Sequence, residues 1–306
     1  MLTIRGVEIE DTFAEAFAMR ATALVITADS ARWAHIAAQT ATGYGTSIIG
    51  CDAEAGIDQV LGVEQTPDGR TGVRVLFFSI NREGLGQAVF NRVGQCVLTC
   101  PTAACYSDVL GETDDSLPLG SKLRFFGDGL QSSKLVGGRR LWRIPVMDGE
   151  FVCDETTGSV KGVAGGNFLI MAEEQACALQ AAEQASEAIA GCPDVVTPFP
   201  GGVCRSGSKV GSRYSGLKAS CNEAYCPTLR NLAPSALPPT VNATYEIIID
   251  GLTLPAVEKA LAAGIRAACL PGVVRIGAGN YGGKLGRYNI RLHEVLANHP
   301  EQAART

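Results

Sequence analysis

Hydrophobic positions along the chain fall into blocks that alternate between strand and helix period. Residues 23–28, Ala-Leu-Val-Ile-Thr-Ala, form a continuous apolar run and predict a strand. Asp29 or Ser30 then stands ready to cap a helix whose inward stripe is Trp33, Ile36, Ala37 and Ala41, closed by Gly43. Residues 47–51 follow as a returning strand. A strong strand pattern covers 73–80, a helix covers 83–95 with Leu85, Ala88, Val89 and Val93 inward, and 96–99 predicts another strand. The second half runs in the same order. A strand is expected over 167–172, an Ala/Glu-rich helix over 174–190, and a short strand over 202–204 after the Pro-Phe-Pro-Gly turn at 198–201. A strand over 245–250, a helix over 255–268 and a strand over 273–276 complete it. Two stretches rich in Asp, Pro, Ser and Asn, 107–119 and 229–241, read as surface loops.

Each half is therefore a pair of β-α-β units. Aligning residues 24–26 with 168–170, and 75–78 with 247–250, gives roughly the same displacement twice once loops are allowed for. Split β-α-β units of this kind build ferredoxin-like lobes, in which helices pack on one face of an antiparallel sheet. The expected fold is α+β, two pseudo-duplicated ferredoxin-like lobes over 1–150 and 151–306.

One position breaks the apolar pattern. In Tyr-Glu-Ile-Ile-Ile-Asp-Gly at 245–251, Glu246 lies within a β-branched run, on the face shared by Ile248 and Asp250. Burial there would raise its carboxyl pKa and leave a neutral acid able to donate a proton. The competing reading is an edge-strand Glu paired with an Arg.

At 306 residues the chain can bury a large core without crosslinks. A net charge of −5 and a pI near 5.4 argue against a nucleic-acid binder, so an anionic ligand must meet a local basic patch. Eleven cysteines with no CxxC pair, and only three histidines, argue against both a disulfide framework and a metal finger. The N-terminus lacks an apolar signal core and no window approaches eighteen apolar residues, so a cytoplasmic protein without membrane spans is expected. Nineteen arginines against seven lysines, with abundant Ala, favour a mesophilic source.

The segment 199–214 supplies a basic patch, combining glycines and hydroxyls with Arg205, Ser206, Lys209 and Arg213. It lacks the GxxxxGK[ST] order of a P-loop, yet its amides and cations suit carboxylates or a phosphate; a flexible solvated loop is the alternative. Lys284 adds charge nearby in sequence. Gly-Ala-Gly-Asn-Tyr-Gly at 277–282 matches GxGxxG, but a strand-like alternation follows where a Rossmann site requires a helix. Its glycines instead suit a tight turn and close backbone approach, as do those of Gly-Val-Ala-Gly-Gly-Asn at 162–167. Gln95 is placed as an amide donor to an oxyanion. Tyr225, in Ala-Tyr-Cys-Pro-Thr at 224–228, and Asn167 are further polar candidates. His35, His293 and His299 read as packing or surface residues, and neither GxSxG nor HExxH occurs.

Taken together, these segments resemble the formylmethanofuran:tetrahydromethanopterin formyltransferase family over essentially the whole chain. The resemblance rests on the Gly-Val-Glu-Ile-Glu-Asp-Thr-Phe-Ala-Glu-Ala-Phe run at 6–17, Ala-Glu-Ala-Gly-Ile-Asp at 53–58, Phe-Phe-Gly-Asp-Gly at 125–129 and Gly-Val-Ala-Gly-Gly-Asn-Phe at 162–168. It continues through Pro-Phe-Pro-Gly-Gly at 198–202, the 224–228 segment, Tyr-Glu-Ile at 245–247 and Gly-Asn-Tyr-Gly-Gly-Lys-Leu-Gly at 279–286. Local departures are Leu130 and Asp250.

The resemblance implies two ferredoxin-like lobes and a homotetramer. It implies transfer of a formyl group between N5 of tetrahydromethanopterin and the amine of methanofuran, with both coenzymes as substrates and no metal or redox cofactor. Glu246 falls on the family's acidic residue, and is expected to protonate or stabilise the tetrahedral intermediate. Gln95 and Tyr225 join it as catalytic candidates, with Asn167, Arg205, Ser206, Lys209, Arg213 and Lys284 holding substrate. The Ala/Arg-rich composition suggests a bacterial methylotroph member of the family, and in that setting the resemblance implies a subunit of a formyltransferase/hydrolase complex with further subunits, oxidising formaldehyde to formate. The alternatives are a free-standing methanogenic enzyme working toward carbon dioxide reduction, and a non-catalytic scaffold of the same fold.

Overall fold

The structure, a computed structural model, describes residues 1–109 and 115–301. It contains two compact units: Met19–Gly162, and Val163–Thr306 together with Met1–Ala18. The division therefore differs from 150/151, and the first 18 residues join the later half of the chain. The reason lies in strand pairing. The hairpin of β1 (Leu2–Ile4) and β2 (Val7–Ile9) offers an edge that β17 (Val273–Gly277) takes in parallel, through Arg275 opposite Glu8 and Ile276 opposite Ile9.

In the unit 19–162, strand β3 (Phe13–Thr27) enters at Met19 and leads to helix α1 (Ala31–Thr42), which Ser30 caps and whose Ala34, Ala37, Ala38 and Ala41 are buried. Strands β4 (Glu54–Leu61) and β5 (Gly72–Ser79), helix α2 (Arg82–Arg92) and strand β6 (Ala104–Ser107) complete a β-α-β-β-α-β unit. All its pairs are antiparallel, in the order β4-β5-β3-β6. That is the ferredoxin-like arrangement. Leu24, Ile26, Val73, Val75 and Phe77 pack beneath the helices with Leu85, Val89 and Val93.

Two expected strands are absent here. Residues 47–51 form a turn in which the Ser47 carbonyl accepts from Gly50 and Cys51, and the chain returns through β4 instead. After α2, residues Val93–Val97 tighten into a π-helical turn, so 96–99 extends the helical segment and β6 begins at Ala104. Short alternating patterns at helix ends mimic strands because one helical turn spans the same residues. Of the loop expected over 107–119, residues 110–114 lie outside the described residues, while Ser116–Pro118 pairs as a strand, β7. Helix α3 (Gly120–Leu123) follows. The meander β8 (Ser132–Val136), β9 (Arg139–Val146) and β10 (Gly149–Asp154) then extends the sheet by pairing β10 with β6, and β11 (Thr156–Gly158) closes on β7.

The other unit repeats the plan. Strand β12 (Val160–Ala172) enters it at Val163 and leads to α4 (Gln175–Ala190), then to β13 (Val195–Val196). A two-stranded arm, β14 (Lys209–Val210) and β15 (Ala219–Ser220), precedes β16 (Ala243–Gly251), α5 (Leu254–Ala268) and β17. The order β13-β16-β12-β17, again antiparallel throughout, matches the first unit strand for strand. The strand expected at 202–204 is replaced by β13, because Pro200–Gly202 forms a 3-10 turn with Gly201 and Gly202 at positive φ. Phe168, Ile170, Ile247 and Ile249 face the buried alanines of α4 and α5. The opposite face carries Leu169 and Met171, against which Leu237, Val241 and Tyr225 pack. The stretch 229–241 is thus a partly buried cover rather than a purely surface loop, since Leu237 and Val241 are buried.

Finally β18 (Tyr288–Arg291) pairs with the start of β3, Tyr288 opposite Ala16, and α6 (Leu292–Asn298) follows. Among the described residues, no helix is long and apolar enough to cross a membrane.

Candidate active site

Alternation along β16 places Tyr245, Ile247 and Ile249 toward the helices and Glu246 on the other face, opposite Leu169 of β12. The side chain is partly buried, and the loss of water around it pushes the carboxyl up to about 7. No ion pair to Arg or Lys compensates it among the described residues, which disposes of the edge-strand alternative. Near neutral pH such a group is divided between acid and base forms, the condition under which it can both give and take a proton.

Three neighbouring segments converge on it. First, the Cys204 main chain bridges Glu246 in both directions, N–H to carbonyl at 2.8 and 3.0 Å, so the loop carrying Arg205 and Ser206 starts at the acidic residue itself. Second, Gly279 presents its α-carbon there. A Cβ at Gly279 would stand 3.6 Å from Glu246 Oε1 and 3.2 Å from Asn167 Oδ1. Third, the Tyr281 phenol lies within the field of Glu246. Burial raises its pKa, a hydrogen bond with the Ser208 hydroxyl opposes the rise, and the Glu246 and Glu15 carboxylates add to it. The phenol is therefore a neutral donor at physiological pH.

Asn167 is buried beside Glu246, but its amide is already committed. Oδ1 accepts from Gly279 N at 2.6 Å, and Nδ2 donates to the carbonyls of Gly279 at 3.0 Å and Gly165 at 3.1 Å. It braces the glycine segment rather than offering a free donor to a ligand. Lys209 is likewise engaged, in an ion pair with Glu223. With Val210, Arg213, Tyr214 and Cys221 it lines a cavity of about 550 Å³ along the β14–β15 arm. That lining does not include Glu246. Arg205, Ser206, Arg213 and Lys284 are exposed.

Tyr225 packs on the Glu246 face of the sheet, where burial raises its phenol and the nearby Glu10 carboxylate adds to the rise. Gln95 lies in the unit 19–162, exposed on the π-helical turn. The structure thus groups Glu246, Asn167, Ser206 and the Cys204 loop, sets Tyr225 on the same sheet face, and leaves Gln95 in the other unit. Tyr281, Ser208, Gly279 and Glu15 join the cluster without having been singled out as site residues in the sequence. The glycine-rich 277–286 segment was the available signal for Tyr281 and Gly279, and the 199–214 segment for Ser208. Among the described residues, no group of three or more His, Cys, Asp and Glu side chains is arranged to hold a metal ion.

Residues 2–146 match the family described as formylmethanofuran-tetrahydromethanopterin formyltransferase, and residues 149–295 match that enzyme's proximal lobe. The chain belongs to the formylmethanofuran–tetrahydromethanopterin formyltransferase family. A formyltransferase of this name from Methylococcus capsulatus is 53% identical, over 97% of this chain and 100% of its own length. Two solved formyltransferase structures are also similar. One, from Methanosarcina barkeri, is 46% identical with a TM-score of 0.92, covering 96% of this chain and 100% of that one. The other is a chain of the formyltransferase/hydrolase complex from Methylorubrum extorquens, in complex with methylofuran. It is 48% identical with a TM-score of 0.94, over 98% of this chain and 99% of that one. The α+β architecture and its duplication are thus those of known formyltransferases, with the family's two parts meeting between residues 146 and 149.

Proposed function

We propose that this protein transfers a formyl group between N5 of tetrahydromethanopterin and the amine of methanofuran or a close analogue. The observation that carries the reading is Glu246: a carboxyl raised to about 7 by burial, beside a neutral phenol, in a chain about half identical to named formyltransferases.

The chemistry asks for such a pair. The attacking amine adds to the formyl carbon, its N–H proton must leave, and the carbonyl oxygen becomes an oxyanion as the carbon turns tetrahedral. Collapse then breaks the other C–N bond, whose nitrogen takes up a proton. Glu246 in its acid form protonates or hydrogen-bonds the tetrahedral intermediate and is re-protonated at the expense of the attacking amine, so no net proton is consumed. Arg213 and Lys209, at the cavity along the arm, suit the carboxylates of an acidic coenzyme tail, and Arg205 and Ser206 extend that surface. Tyr225 and Lys284 complete the candidate set for substrate contact, and Gln95 would have to act from the other unit.

The protein is further proposed to work in the cytoplasm as a homotetramer and as a subunit of a formyltransferase/hydrolase complex, the last supported by its likeness to a chain of such a complex from Methylorubrum extorquens. The decisive experiment is a formyl-transfer assay of the purified assembly with both coenzymes, comparing parent and Glu246→Gln. Transfer by the parent and its loss in the variant are expected. An inactive parent assembly would leave a scaffold role standing, and an unimpaired variant would remove Glu246 from the mechanism. Co-purification of partner subunits separates the complex from a free-standing enzyme.

A further inference from the structure

The segment between β17 and β18, Gly-Ala-Gly-Asn-Tyr-Gly-Gly-Lys-Leu-Gly at 277–286, contains five glycines. Such a segment loses more conformational freedom on ordering than any other composition, so something must hold it. The holder is Glu15 of β3. Its Oε2 accepts from the main-chain N–H of Tyr281 at 2.6 Å and Gly283 at 2.9 Å, and its Oε1 from Leu285 and Gly286, each at 2.6 Å. Both oxygens are saturated by four donors. The side chain is 1% exposed, between the fully buried Ala14 and Ala16. Burial opposes its ionisation, yet the four N–H groups outweigh that and hold the carboxyl below the usual range, so it stays charged.

The approach is as close as the backbone permits. A Cβ at Gly286 would meet the Ala16 carbonyl at 2.6 Å and Glu15 Cγ at 2.7 Å. From the opposite side, Asn167 grips Gly279, whose carbonyl also accepts from Glu15 N at 3.3 Å. The turn is thus fixed from β3 and from β12, Gly279 in the Asn167 grip and Tyr281 in the Glu15 clamp, both near Glu246.

We propose that Glu15 is a positioning residue for formyl transfer: its four-donor clamp fixes the 279–286 turn so that Gly279 and Tyr281 are held against Glu246. The inference rests on the function proposed above. A carboxylate is required rather than an amide of the same shape. Glu15→Gln replaces one acceptor oxygen by an NH2 group, which would point its hydrogens at two backbone N–H donors.

The test is amide hydrogen exchange of the full assembly without coenzymes, paired with steady-state kinetics, for parent, Glu15→Gln and Gly282→Ala. Gly282 has φ +72° with open space around it, so alanine there loosens the same turn without touching the clamp and keeps the test available if Glu15→Gln does not fold. Exchange at Tyr281, Gly283, Leu285 and Gly286 is expected to quicken by roughly tenfold or more relative to the rest of the unit. In parallel kcat per folded site should fall by about tenfold or more, with the KM of each coenzyme within about threefold, because the defect is misplacement rather than lost binding. Quickened exchange with parental kcat would overturn the positioning role, and unchanged exchange would overturn the clamp. A parent assembly without transfer activity is a different result: it overturns the proposed function, and positioning for that reaction with it.

Discussion

Cys204 and Glu246 exchange a complete pair of main-chain hydrogen bonds, an isolated bridge from the loop after β13 to β16. The proposed acid and the backbone pairing thus coincide at one residue. A change of the Glu246 side chain leaves that bridge intact, so its consequences report on the carboxyl alone.

The first prediction concerns pH. The Glu246 carboxyl titrates at about 7 in the folded protein against an ordinary 4.5. The folded state therefore binds a proton that the unfolded chain has released between those values, and stability falls as pH rises from about 4.5 to 7 and is level above. The full difference is about 3 kcal/mol. Glu246→Gln removes it, so denaturant unfolding at pH 8 should find the variant more stable than the parent by about 1–3 kcal/mol while transfer is lost. At pH 4.5 the two should be alike.

Tyr281→Phe removes a neutral donor that shares a hydrogen bond with Ser208 and lies in the field of Glu246. The main-chain clamp of the turn does not involve the phenol. The expected loss is about tenfold to a hundredfold in kcat with little change in stability, read by steady-state kinetics beside thermal unfolding. Unchanged kcat would exclude the phenol from the reaction.

Gly264 separates two opposing effects of alanine in a helix. Propensity within α5 would favour Gly264→Ala by about 1 kcal/mol. A Cβ there, however, would stand 2.7 Å from Ile189 Cδ1 of α4 and 3.1 Å from Phe168 Cε1, both in a fully packed core. Overpacking costs about 1–3 kcal/mol and wins. Chemical denaturation should show net destabilisation of up to about 2 kcal/mol.

In the unit 19–162, Arg139 pairs with Asp154, which is 4% exposed and also accepts from Ser107 N at 2.8 Å. Arg139→Ala leaves that carboxylate buried without its cation, and should cost about 3 kcal/mol in unfolding experiments. Arg139→Lys should recover part of it.

The repeated strand and helix order was legible in the sequence because the core stripes of α1, α4 and α5 are unbroken by polar residues, and that of α2 is interrupted only at its end by the buried Arg92. Glu246 was legible for the complementary reason, a charge where the alternation calls for apolar contact. Glu15 was not, because the apolar run from Ala23 obscured the fact that β3 begins at Phe13. The committed amide of Asn167 and the Glu223 partner of Lys209 are long-range or loop contacts that periodicity cannot announce. The meander 132–154 escaped because its strands are largely solvated, so alternation is the weaker signal.

The internal repeat sets two register positions side by side for comparison. Ile247 pairs with Phe168 as Val75 pairs with Leu24, which makes Arg74 the counterpart of Glu246. Arg74 is bound by Asp58 and by Asp108, a charge settled into architecture. Its counterpart, Glu246, is a carboxyl with no such ion pair among the described residues. Duplication thus gave the molecule two copies of one awkward position, and permitted a division of labour: one copy spent on cohesion, the other left at the site proposed for transfer.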